Sequence, residues 1–192
     1  MARPREFDED RALDAAIRRF ADQGYEGTST DDLLDAMGIS RQSLYGAFGD
    51  KRQLYLKALR RYSAGNISTL IRILNTAPSP LKGIEAALTS FADAAKDKKA
   101  TGCIGVGSIC EFGRTDAEIA ELNDVMADTL TAALQRRLAD ARAMGELPND
   151  LDAQAAADFL ASTFIGMKIS ARAGASYHKL RRIARTAMRS LK

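Results

Sequence analysis

The chain has no tryptophan, a single histidine and only two cysteines, Cys103 and Cys110. A secreted disulfide framework uses more cysteines than that, and one histidine with two cysteines cannot build an ordinary zinc site. Neither a metal nor a cofactor is expected. Prolines number only four, so little interrupts helix formation, and aromatics at 6% leave few of the residues that strands favour. Long apolar runs are missing as well. The most apolar stretch, Phe159 to Met167, already contains Ser162 and Thr163 and is far shorter than the ~20 residues of a membrane span. The start, Met1-Ala-Arg-Pro-Arg-Glu, lacks the apolar core of a signal peptide. The expectation is a cytoplasmic chain that does not engage a membrane. A glycine-rich phosphate loop and a nucleophile elbow are also lacking, so catalysis has no motif to rest on.

What is present is helical punctuation. Hydrophobic residues make up 46% of the 192 positions, enough for a packed core. Leu13, Ala16, Ile17 and Phe20 recur at helical spacing behind Asp8-Glu9-Asp10, and Gly24 closes that segment. Ser29 and Asp32 have the spacing of a capping box for a second, short helix that ends at Gly38. Ser40 can cap a third over Arg41–Phe48, and Asp50 with Gln53 a fourth from Lys51 that continues to the break at Thr76-Ala-Pro-Ser-Pro80. Beyond it the pattern predicts helices from Pro80, near Gly102–Phe112, from a Thr115/Glu118 capping box to Met144, from Asp150 or Asp152 to Ala173, and from Ser176 to Leu191. The fold class is thus all-α with about nine helices. A three-helix, helix-turn-helix DNA-binding domain is expected over residues 1–50. A helical bundle for dimerisation and ligand binding is expected over 51–192, joined through the helix that starts at 51.

Function is most legible in Ser29–Phe48. Two short helices meet at Gly38-Ile39, where a glycine takes the bend and an apolar residue plugs the core beneath it. On the second helix Leu44, Ala47 and Phe48 share one face, so Arg41, Gln42 and Tyr45 point the other way. Arginine can grip the O6 and N7 acceptors of guanine, glutamine can pair with adenine, and tyrosine can donate to a phosphate. Arg41 and Gln42 lie in the first turn, the part of such a helix that enters the major groove, and the Ser40 cap can meet a phosphate. Acidic and basic residues are balanced over Met1–Tyr62. From Ile39 to Arg61, however, Arg41, Lys51, Arg52, Lys57, Arg60 and Arg61 face only Asp50. Arg3 and Arg5 are candidates for an arm in the minor groove.

The stretches Gly24-Tyr-Glu-Gly-Thr-Ser-Thr-Asp-Asp-Leu-Leu-Asp-Ala-Met-Gly-Ile-Ser40 and Ser43-Leu-Tyr-Gly-Ala-Phe-Gly-Asp-Lys-Arg-Gln-Leu54 resemble the TetR family. The resemblance implies that Thr28, Tyr45 and Lys51 meet phosphates while Arg41, Gln42 and Ser43 approach bases. It also implies a homodimeric repressor on a double-stranded operator, released by a small-molecule effector. The sequence departs from the family pattern at Ala47, where many members carry His or Tyr, and at Leu34 and Met37, where Ala is usual. Further on, Gly102-Cys103 with Glu111, and Gly166 with Arg172-Ala-Gly174, resemble one subgroup. Some members of that subgroup place a sensing cysteine after a glycine here, which implies an electrophile or oxidant as effector.

The remaining signals are weaker. Cys103, Val106 and Cys110 are spaced to share a helical face, and Phe91, Met126, Leu160, Phe164 and Met167 are candidate companions in a ligand pocket; ordinary core explains each of them too. Cys103 and Cys110 are about 10 Å apart on one helix, too far for a disulfide. The Ala-rich Leu151–Ala173 segment suits close packing between subunits or within one. Two alternatives to a repressor remain open. One is a helical interaction module without specific DNA binding. The other is an all-helical enzyme using a carboxylate pair, although Glu111, Asp116, Glu118 and Glu121 read better as caps and solvated faces.

Overall fold

The computed structural model describes residues 7–94 and 102–192. Arg3, Arg5 and the Lys96-Asp-Lys-Lys99 run lie outside the described residues. Within them there are nine α-helices and no strand: α1 Glu9–Gln23, α2 Thr30–Met37, α3 Arg41–Phe48, α4 Lys51–Thr76, α5 Pro80–Ala94, α6 Ile104–Phe112, α7 Ala117–Ala143, α8 Ala153–Arg172 and α9 Tyr177–Arg189.

Most boundaries come from caps that act over three or four residues. Asp8 accepts the Arg11 amide at the start of α1. Ser29 and Asp32 form the full capping box of α2, each side chain accepting the other's backbone N–H at 3.1 and 3.0 Å. Asp152, rather than Asp150, starts α8 by accepting from the amides of Gln154 and Ala155. One cap differs from expectation. Asp116, not Thr115, caps α7 by accepting from the Ile119 amide, while the Thr115 hydroxyl donates back to the Phe112 carbonyl. A carboxylate is the stronger acceptor, and moving the start by one residue also leaves Asp116 free to hold an arginine.

The chain divides into two compact units. The first comprises the described residues through Ala64 together with Gly102–Asn123; the second begins at Gly65 and resumes at Asp124–Lys192. The core of the first is built on Phe20, Leu33, Leu44, Phe48, Leu54, Tyr55, Leu59, Ile104 and Ile119. On α1 the fully covered positions are Ala12, Ala15, Ala16, Phe20 and Ala21, with Leu13 and Ile17 only half-buried. The small side chains let α1 approach its neighbours closely. Phe20 supplies the bulk, contributing about 2–3 kcal/mol by burial. Leu74, Ile84, Leu88, Leu134, Leu138, Leu160, Phe164, Met167, Leu180 and Leu191 form the core of the second unit. No helix of the described residues is long and apolar enough to cross a membrane.

Candidate nucleic-acid interface

α2 and α3 meet at Gly38, which has φ +67° and ψ +34° and returns its amide to the Leu34 carbonyl. This left-handed turn costs glycine little and would strain a side chain. α3 then presents two opposite faces. Leu44 and Phe48 are buried in the core of the first unit, while Arg41, Gln42 and Tyr45 are exposed, Tyr45 at 51%. Packing of the apolar face fixes which way the polar one looks.

The first turn of α3 is tightly capped. Ser40 accepts the Ser43 amide at 3.1 Å, and the two hydroxyl oxygens are 2.9 Å apart. The far end is closed by Lys57, whose ammonium donates to the Ala47 carbonyl at 2.9 Å and lies 5.5 Å from the Phe48 ring. Lys51, at the start of α4, is half-buried with its ammonium 4.2 Å from the centre of the Tyr25 ring. Arg41 is paired with Asp31 of α2 at 2.5 Å. Thr28 departs from the expected phosphate contact. Its side chain is fully buried and its hydroxyl donates to the Gly24 carbonyl at 2.6 Å, so it stabilises the loop from within.

The basic excess read from Ile39–Arg61 is largely spent inside the unit. Arg52 binds Asp116 through two nitrogens and also reaches Glu118; Arg60 binds Glu118; Arg61 binds Asp10 and Asp14. These pairs raise the Arg52 and Arg61 affinities for their protons and hold Asp116 below the usual carboxylate range, with its helix-capping bond to Ile119 the largest cause. They brace α4 against α1 and α7. Arg19 on α1 likewise holds Asp32 of the capping box at 2.6 Å.

Glu111 is a structural residue that spacing alone did not assign. From the last turn of α6 its carboxylate accepts the amides of Tyr25 at 2.8 Å and Glu26 at 3.1 Å, in the loop between α1 and α2. Gly24 just ahead of them has φ +78°, and a Cβ there would lie 2.0 Å from the carboxylate. Tyr25 then packs on Tyr55 and Phe112, with ring centres 5.0 and 5.3 Å apart. Burial pushes the hydroxyls of Tyr25 and Tyr55 up, so both stay neutral.

The residues grouped as a ligand pocket fall in both units. Leu160, Phe164 and Met167 belong to the core of the second, with Phe91 packed against it; Met126, also in the second, is half-buried. Cys103 and Val106 are buried in the first unit. Cys110 is exposed, which corrects the expectation of one shared face. Cys103 is not helical but extended, the N-cap of α6, its sulfur accepting from the Val106 amide at 3.5 Å, while Cys110 lies in the last turn, where Ile109, Cys110 and Glu111 are all exposed. No group of His, Cys, Asp and Glu among the described residues could hold a metal.

Two family models match this chain. Residues 12–58 match the bacterial regulatory proteins of the tetR family, and residues 80–187 match the tetracyclin repressor-like C-terminal domain. The chain belongs to the TetR family. Among curated TetR-family relatives, the HTH-type transcriptional repressor ComR of Escherichia coli (strain K12) is 35% identical over 97% of this chain and 90% of its own length. The uncharacterized HTH-type transcriptional regulator YezE of Bacillus subtilis (strain 168) is 33% identical over 94% of each chain. Among solved structures, a cysteine mutant of the TetR-family regulator CifR, complexed with 26-base-pair operator DNA, superposes with TM-score 0.88. It is 28% identical and covers 99% of this chain and 100% of that one. A TetR-family chain is a DNA-binding transcriptional regulator, not an enzyme.

Proposed function

We propose that the chain is a homodimeric repressor that binds a pseudo-palindromic operator and is released from it by a small-molecule effector. The carrying observation is the exposed Arg41, Gln42 and Tyr45 face of α3, opposite a buried Leu44 and Phe48 face. In this reading Arg41, Gln42 and Ser43 approach bases, while Ser40, Tyr45 and Lys51 meet phosphates. The repressor named ComR, similar along nearly its whole length, supports the sign of regulation. CifR, bound to operator DNA in its own structure, supports the mode of docking.

Two short reading helices give more specificity than one, which favours a dimer. α8 supplies a candidate interface, because Phe159, Ile165 and Ile169 stand exposed along one side of it, at 46, 38 and 48%. For the effector, Cys103 is the candidate sensor of an electrophile or oxidant, set at the first turn of α6 in the same unit as α3. Selection of bound sites from random duplex DNA tests the central reading: two half-sites related by inverted symmetry are expected, and recovery of no sequence overturns it. For the sensor, operator release by thiol-reactive compounds is measured in the parent and in Cys103→Ser. Equal response of both sinks that role.

A further inference from the structure

We infer that Asp31 is a specificity-determining residue of the reading head, acting by positioning Arg41. The inference rests on the reading above that the exposed face of α3 meets DNA. The Arg41 Nη2 and Asp31 Oδ1 atoms are 2.5 Å apart, joining the first turn of α3 to the first turn of α2, and both side chains are exposed, at 54 and 79%. Asp31 is not needed as a cap, since Ser29 and Asp32 already close the capping box of α2. Nor is it a stability device, because exposed ion pairs contribute only about 0–1 kcal/mol. Its effect falls on Arg41.

A guanidinium carries five N–H donors in a planar fork, so one nitrogen held by Asp31 leaves the others able to meet the O6 and N7 acceptors of a guanine. Held in this way, the arginine gives up less side-chain freedom on binding. The same carboxylate opposes indiscriminate binding. Arg52, Arg60 and Arg61 are engaged with acids away from the exposed face of α3, whereas Arg41 stands on that face, and Asp31 competes with any phosphate for it. Asp31 also adds a negative charge beside the DNA backbone. Its presence lowers affinity for every sequence and costs least where a guanine takes the free edge of Arg41. The acid therefore trades affinity for discrimination.

The test uses the full chain, the duplex it selects from a random library, and a scrambled duplex of the same length. At ~0.1 M salt, Asp31→Asn should bind the scrambled duplex roughly fivefold to tenfold tighter, the effect of about one charge. Affinity for the selected duplex should rise less, so the ratio of selected to scrambled affinity should fall by about threefold to fivefold. Preference should be lost at the same base pairs that Arg41→Ala relaxes, with the melting temperature unchanged. Asp31→Glu, with the charge retained on a longer arm, should restore weak binding to the scrambled duplex but only part of the preference. If the Asp31→Asn profile matches the parent, or both affinities fall equally along with the melting temperature, Asp31 does not set specificity. If the parent itself selects no sequence, the DNA reading fails first and this inference with it.

Discussion

Asp32 shows how one side chain ties local folding to pH. Hydrogen bonds from the Ser29 hydroxyl and amide, then from Arg19, hold its carboxyl at about 2, below the ~3.9 of an unfolded aspartate. Between those values the unfolded chain binds more protons than the folded one. The stabilisation is therefore complete above about pH 4 and is lost as pH falls towards 2. Asp32→Asn should melt below the parent at pH 7, and the gap should close on acidification to pH 2, followed by circular dichroism. Ser29→Ala removes the hydroxyl half of the same box and should cost about 1 kcal/mol. On α3, Arg41→Ala or Gln42→Ala should lose about 1–3 kcal/mol of operator binding and relax preference at particular bases. Lys51→Ala should instead weaken all duplexes alike and reduce the salt slope by about one. Binding titrations on a panel of single-base variants, repeated at several salt concentrations, separate the two roles.

Among the elements, α6 is the one whose importance exceeds its length. Its last turn holds the loop between α1 and α2 through Glu111, and Phe112 packs on Tyr25 and Tyr55. Tyr25 in turn lies beneath Lys51, so α6 supports a residue proposed to meet a phosphate. Glu111→Ala leaves two amides without their acceptor. Hydrogen exchange at Tyr25 and Glu26 should accelerate, while exchange in the core of the second unit, at Leu134 and Leu138, stays unchanged. Uniform acceleration would instead mean global destabilisation. Gly24→Ala faces both a positive φ and the carboxylate of Glu111, and should cost on the order of 1–3 kcal/mol. Asp116 and Glu118 are occupied as supports rather than as a catalytic pair, both by Arg52 and Glu118 also by Arg60.

For the whole molecule, the exposed apolar side of α8 is the feature that a single chain does not account for. Phe159, Ile165 and Ile169 are exposed on α8, while Leu160, Phe164 and Met167 fill the core of the second unit from its other side. If two copies bury this side, Phe159→Asp with Ile169→Glu should yield monomers in analytical ultracentrifugation without loss of helicity. Operator affinity should drop by at least about tenfold, since each reading head then binds alone. A double variant that remains dimeric would move the interface elsewhere.

The amino-acid sequence by itself determined where most of the helices start and stop, because caps such as Ser29, Ser40 and Ser176 act within three or four residues. It also determined the two faces of α3, since helical periodicity separates Leu44 and Phe48 from Arg41 and Gln42. Tertiary structure alone decided which charges are spent and which are free. Arg52 lies 64 residues from Asp116, and Tyr25 lies 86 from Glu111, so no local pattern joins them. The same folding buried Thr28, brought Asp31 onto Arg41, and placed Cys103 and Cys110 in different surroundings. The physical reason is one of range. Hydrogen-bonded turns are set by neighbours along the chain, whereas burial and ion pairing depend on the path by which distant segments meet.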